Sequence, residues 1–88
     1  MKKYVRVYLD HFGYCESDVI MCEVCKKERA SEIHHVLSRS RRPDLLNDII
    51  NLMAICRDCH ISFGDNNLYL DLLQNIHNEK LNEANGRR

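Results

Sequence analysis

Proline occurs once in these 88 residues and glycine three times, so no stretch reads as a Pro/Gly-rich linker. Internal repeats and low-complexity tracts are absent too. Without such breaks the chain is expected to form a single domain, residues 1–88, with room for one modest core. Net charge is also missing, because thirteen Lys and Arg cancel thirteen Asp and Glu. Bulk charge therefore neither advertises a nucleic-acid partner nor excludes one, and any electrostatic argument must be local. Nor does any apolar run approach the roughly 20 residues of a membrane span. The opening stretch, MKKYVRVYLDHFGY, is basic but lacks the apolar segment and small-residue cleavage site of a signal peptide. A cytoplasmic location is expected, where thiols stay reduced.

That matters because the chain has five cysteines. Cys22 and Cys25 enclose two residues, and Cys56 and Cys59 repeat the spacing. A tight turn of that length aims both sulfurs at one ion about 2.3 Å away, and two such pairs make a Cys₄ zinc site. Disulfide or redox chemistry is the competing reading of the same spacing. A structural zinc would supply stability that so small a core cannot. Cys15 is left over and reads as a buried or half-buried free thiol.

The rest of the chain has a coarse rhythm. KYVRVYL alternates apolar and charged residues and predicts an N-terminal strand. SEIHHVLS is β-rich, and NLMAIC reads as a buried strand. DLLNDII suggests a short helix with Asp44 as its cap, leaving Asn47 and Asp48 solvated. CRDCHISF turns into a helix that Gly64 stops. Tyr69, Leu72, Leu73 and Ile76 at helical spacing predict a C-terminal helix over about 67–82, capped by Asn67. His77 falls on its packing face, and the tail NEANGRR is expected to fray.

Thirty residues separate Cys25 from Cys56, more than the roughly 15 to 20 of a plain zinc ribbon. In or beside that insert stand His34, His35, Asn47, Asn51 and His60. Neighbouring side chains leave a strand on opposite faces, so His34 and His35 cannot do the same job. Taken singly each has a plain reading: a half-buried histidine pair, an asparagine cap, a histidine beside zinc. Together they have an order.

CEVC, EIHHV and NLMAICRDCH in that order resemble the HNH endonucleases of the ββα-metal group, in their zinc-stapled form. The resemblance covers about residues 20–64. It implies a small α+β finger, here with the N-terminal strand and C-terminal helix added. It further implies that His35 is the general base, that His34 and His60 hold a catalytic divalent ion, and that Asn51 either ties the arms of the finger or reaches that ion. Magnesium, manganese, nickel, cobalt and zinc are candidates for the ion. Many relatives carry a further histidine or asparagine three or four residues beyond the position of His60. Phe63 and Gly64 stand there in this chain, so Asp65, Asn51 or water is expected to complete the ion's shell.

Arg39, Arg41 and Arg42 form the one dense basic cluster. It is either a solvated loop or a grip on phosphates flanking the cut, with Arg87 and Arg88 as possible additions. The implied function is metal-dependent hydrolysis of DNA phosphodiester bonds leaving a 5′-phosphate, with little sequence readout. A protein partner, in phage packaging or restriction, is compatible with so small a chain. The alternative is a catalytically silent zinc-finger module that binds nucleic acid or a protein.

Overall fold

The computed structural model describes residues 1–86; Arg87 and Arg88 lie outside the described residues. In chain order the elements are α1 (Lys3–Phe12), β1 (Glu32–His35), β2 (Leu52–Ile55), α2 (Arg57–Cys59) and α3 (Leu70–Gly86). A π-helical turn, His60–Gly64, prolongs α2, and short 3₁₀ turns at Pro43–Leu45, Ile49–Asn51 and Asn67–Tyr69 link the rest. This is a small α+β fold. No helix among the described residues is long and apolar enough to cross a membrane.

The expected N-terminal strand is a helix instead. Tyr4, Val5, Tyr8, Leu9 and Phe12 recur every three to four residues, and the buried pair is Tyr8 and Leu9. Seven residues were too short a window, since adjacent Tyr4 and Val5 already break a period of two. Gly13 ends α1 at φ 75°, a left-handed conformation that glycine adopts without penalty, and its N–H bonds back into the last turn.

β1 and β2 pair antiparallel, with Glu32 opposite Ile55, His34 opposite Met53 and His35 opposite Leu52. Every residue of β2 is buried, because both faces of this two-stranded sheet are covered. Leu52 and Ala54 pack with Tyr8 against α1. Met53 packs with Val36 and Leu73 of α3, while Ile55 joins the cysteines. Alternation along β2 thus sends one face to α1 and the other to α3 and the cysteine cluster.

Other expectations are corrected in detail. DLLNDII forms two 3₁₀ turns in place of a helix. Asp44 caps neither and pairs with Arg42, while Asp48 accepts from the Ile50 N–H and caps the second. Asn66, not Asn67, caps the turn leading into α3 by accepting from the Leu68 N–H. α3 starts later than expected and runs to Gly86, absorbing most of the tail that was expected to fray. Cys15 is exposed, not buried.

A buried carboxylate joins these layers. Glu23, inside the first cysteine pair, accepts from Tyr8 Oη and from the Ala54 N–H, and meets His77 Nδ1 at 2.7 Å. His77 Nε2 donates to the Ile49 carbonyl at 2.6 Å. That carbonyl can only accept, so the proton between His77 Nδ1 and Glu23 is shared by a pair that is neutral overall. Burial, followed by the charge of Glu23, holds the Tyr8 hydroxyl far above its ordinary pKa, so Tyr8 serves as a fixed donor. One residue thereby ties α1, β2 and α3 to the cysteine turn.

Candidate active site

The four paired cysteines come together. The sulfurs of Cys22, Cys25, Cys56 and Cys59 all lie within 4.8 Å of one another, and Cys25 Sγ is 3.9 Å from Cys56 Sγ. A tetrahedron with Zn–S bonds of about 2.3 Å has edges of about 3.8 Å, so the four are positioned to bind a structural zinc. A β-hairpin-like turn presents the first pair: the N–H of Cys22 bonds Glu28 O, and that of Lys26 bonds Cys22 O. Lys26 takes φ 58° to close it. The N–H groups of Lys27 and Glu28 point at Cys25 and lower its thiol to about 7. The start of α2 presents the second pair.

One helical turn beyond Cys56, whose carbonyl accepts from its N–H, stands His60. Its ring lies 4.9 Å from that of His34, centroid to centroid, at 67°. His34 is 8 % exposed, and its Nε2 is buried with no hydrogen-bond partner. A buried nitrogen left without a partner is costly in a finished core and ordinary in a ligand awaiting an ion. Burial, and then the neighbouring His60, depress the pKa of His34, so the ring is held neutral with a lone pair to offer. Gly64 makes this approach possible. A Cβ there would sit 2.5 Å from His60 Cδ2 and 3.3 Å from His34 Cε1. His60 Nδ1 lies 3.3 Å from Glu32 Oε1, and its Nε2 lies 3.7 Å from Asp65 Oδ2. Two imidazoles and an exposed carboxylate, donor types that suit a divalent ion, thus stand near one another, though their ligand atoms do not all lie within 4.8 Å of one another.

His35 leaves β1 on the other face, the one shared with Leu52 and α1. The ring of Tyr4 meets it edge-on, centroids 4.6 Å apart. His35 Nε2 lies 2.9 Å from the Leu46 carbonyl, which can only accept. The proton is therefore on Nε2, and Nδ1, which has no partner among the described residues, is the basic nitrogen. Burial lowers its pKa; the Leu46 carbonyl opposes that, and the charges of Arg39 and Lys2 add to it. A neutral imidazole with a free lone pair is what proton abstraction requires.

Asn51 is buried beneath these residues. Its Oδ1 accepts from the Leu37 N–H at 2.7 Å and its Nδ2 donates to the Leu37 carbonyl at 3.0 Å. Both ends of the amide are used on backbone, so Asn51 ties the start of β2 to the segment leaving β1. Of the arginines, Arg42 is held by Asp44 through two bonds of 3.0 and 2.8 Å. Arg41 reaches Asn67 at 3.5 Å, and Arg39 lies close enough to His35 for its charge to act there.

The HNH endonuclease family model matches residues 22–65, half of the chain, from the first cysteine to the acid beside His60. The chain belongs to the HNH endonuclease family. No curated protein and no solved structure matched the chain in the corresponding comparisons. In this HNH domain α1 and α3 lie outside the matched span. They bring the residues that sequence reasoning missed: Tyr4 against His35, and Tyr8 and His77 on Glu23. Glu32 went unremarked as well, although its place two residues before His34 set it on the same strand face.

Proposed function

We propose that this HNH domain is a metal-dependent endonuclease that hydrolyses DNA phosphodiester bonds. The observation that carries the reading is the opposite setting of two adjacent histidines. His34 offers an unpartnered nitrogen toward His60, while His35 is fixed by Leu46 with its basic nitrogen free. In this reading His34 and His60 hold the divalent ion, with Asp65 as the nearest carboxylate. A bound ion supplies stabilisation of the charge that develops on the phosphate and the leaving oxygen. His35 takes a proton from water at Nδ1 as the water oxygen attacks phosphorus. The bond between phosphorus and the 3′ oxygen then breaks. That oxygen leaves with the electron pair and takes a proton from solvent to become a 3′-hydroxyl, and the other end keeps a 5′-phosphate. Arg39 and Arg41 contact flanking phosphates, which carry little sequence information.

Plasmid cleavage across a panel of divalent metals tests this. His35→Ala should bind ion and DNA almost normally yet lose about 10²- to 10⁴-fold in rate. His34→Ala should regain part of its activity as metal concentration rises. Rescue of His35→Ala by metal, with His34→Ala dead, would reverse the roles.

A second reading has one observation in its favour. Among the described residues the four cysteines are the one set of three or more groups close enough to share an ion, which suits a zinc module that binds without cutting. Absence of cleavage under every metal, with DNA binding retained, would select it.

A further inference from the structure

We propose that Glu32 is a positioning residue whose carboxylate holds the Nδ1–H of His60 and so presents Nε2 to the catalytic ion. The inference rests on the reading of His34 and His60 as its ligands. Residues 32 and 34 leave β1 on the same face, and Glu32 pairs with Ile55 at the end of β2. From Ile55 the chain passes directly into Cys56 and α2, so His60 arrives over that end of β1. Glu32 and His34 therefore meet the same imidazole, Glu32 at 3.3 Å from Nδ1 and His34 ring to ring.

The need for such a residue follows from imidazole chemistry. A neutral ring carries one proton, and a ring protonated on Nε2 has no lone pair there for an ion. The carboxylate nearer to His60 favours the Nδ1–H form through its charge: Glu32 stands 3.3 Å from Nδ1, whereas Asp65 stands 3.7 Å from the other nitrogen. Gly64, packed against the His60 ring edge, leaves the ring little room to flip and exchange its nitrogens. His34 and His60 then both present Nε2, one buried and unpartnered, the other turned toward Asp65. Carboxylate support of a ligating histidine is worth about 10- to 100-fold in metal affinity.

The test uses full-length protein loaded with one equivalent of zinc, then titrated with Mn²⁺ and followed by electron paramagnetic resonance. Glu32→Ala should weaken Mn²⁺ binding by about 10- to 100-fold. Glu32→Gln should stay within a few-fold of wild type, because its amide oxygen still accepts the Nδ1–H. Nitrogen-15 NMR without Mn²⁺ should show His60 protonated on Nδ1 in wild type and Glu32→Gln, and a tautomer mixture in Glu32→Ala. Wild-type affinity and an unchanged tautomer in Glu32→Ala would overturn the inference. Glu32→Gln as weak as Glu32→Ala, with the tautomer intact, would overturn it in favour of Glu32 as a direct ligand. A wild type that takes up no Mn²⁺ overturns the ligand reading itself, and the tautomer comparison still decides whether Glu32 holds His60.

Discussion

Asn51 grips Leu37 by both ends of its amide, accepting from the backbone N–H at 2.7 Å and donating to the carbonyl at 3.0 Å. The grip fixes where the chain goes after His35, and so where the arginine loop begins. Asn51→Ala strands two backbone groups in a site where Asn51 itself is 1 % exposed. At about 1–3 kcal/mol for each unpaired group, a loss of about 2–6 kcal/mol is expected in denaturant unfolding of the zinc-loaded protein. Asn51→Asp keeps the acceptor but sets a carboxylate oxygen against the Leu37 carbonyl, and should also be destabilised. Unchanged stability together with lost uptake of a second ion would show instead that Asn51 reaches the metal.

How far the sequence could be read depended on the range of the signal. Cysteine spacing is local and chemically narrow, so the cluster was legible. The split between His34 and His35 was legible because strand alternation needs only two residues. α1 was not, because its helical period shows only when the window extends to Phe12. Asn51 left two roles open, and its bonds to Leu37, which favour the tie, come from fourteen residues away. Glu23 and Glu32 acquire their partners from residues far along the chain, His77 and His60. No spacing rule reports such contacts.

Removing the zinc should unfold this domain. The four sulfurs cap a core containing Ile55, and stripped of an ion they leave thiols crowded within 4.8 Å. About one equivalent of zinc should copurify, and a strong chelator should abolish the cooperative unfolding transition. A folded protein free of zinc by elemental analysis would refute this.

The arginines should contribute unequally. Asp44 already neutralises Arg42, whereas Arg39 has no acidic partner among the described residues. Arg39→Gln and Arg41→Gln should weaken DNA binding similarly across sequences and flatten its salt dependence, by about one unit of slope per lost phosphate contact. Arg42→Gln should do less. Asp44→Asn, which frees Arg42, should tighten binding at low salt. Equal salt slopes in all four variants would place the DNA elsewhere.

Acid should destabilise the fold through the same histidines. His34 and His35 both have folded-state pKa values below the ordinary 6.5, chiefly from burial. Below about 6.5 the unfolded chain therefore binds more protons than the folded one, and stability rises with pH in that window. The contribution is complete above the unfolded value and is lost as pH falls through the folded values. Zinc-bound thiolates add an acid sensitivity of their own, so the informative quantity is a difference. A His34→Gln/His35→Gln double variant should show a shallower loss of stability between about pH 6.5 and 5 than wild type. Parallel curves would mean that neither ring is held neutral by the fold.

Tyr4 should tune His35, the proposed general base, from outside the region the family shares. Its ring meets His35 edge-on at 4.6 Å. The pair contributes about 0.5–1.5 kcal/mol, enough to fix the plane in which Nδ1 points. Tyr4→Ala should therefore lower kcat by up to about tenfold and leave KM for DNA unchanged, while Tyr4→Phe should match wild type because the ring makes the contact. The pH profile gives an independent readout. Burial is the main cause of the lowered pKa of His35, and removing the Tyr4 ring admits water. The pKa should then rise, and the acid limb of the rate profile should move to higher pH, toward 6.5. A slower Tyr4→Ala enzyme whose acid limb has not moved would mean that Tyr4 supports the fold of α1 and does not act on His35.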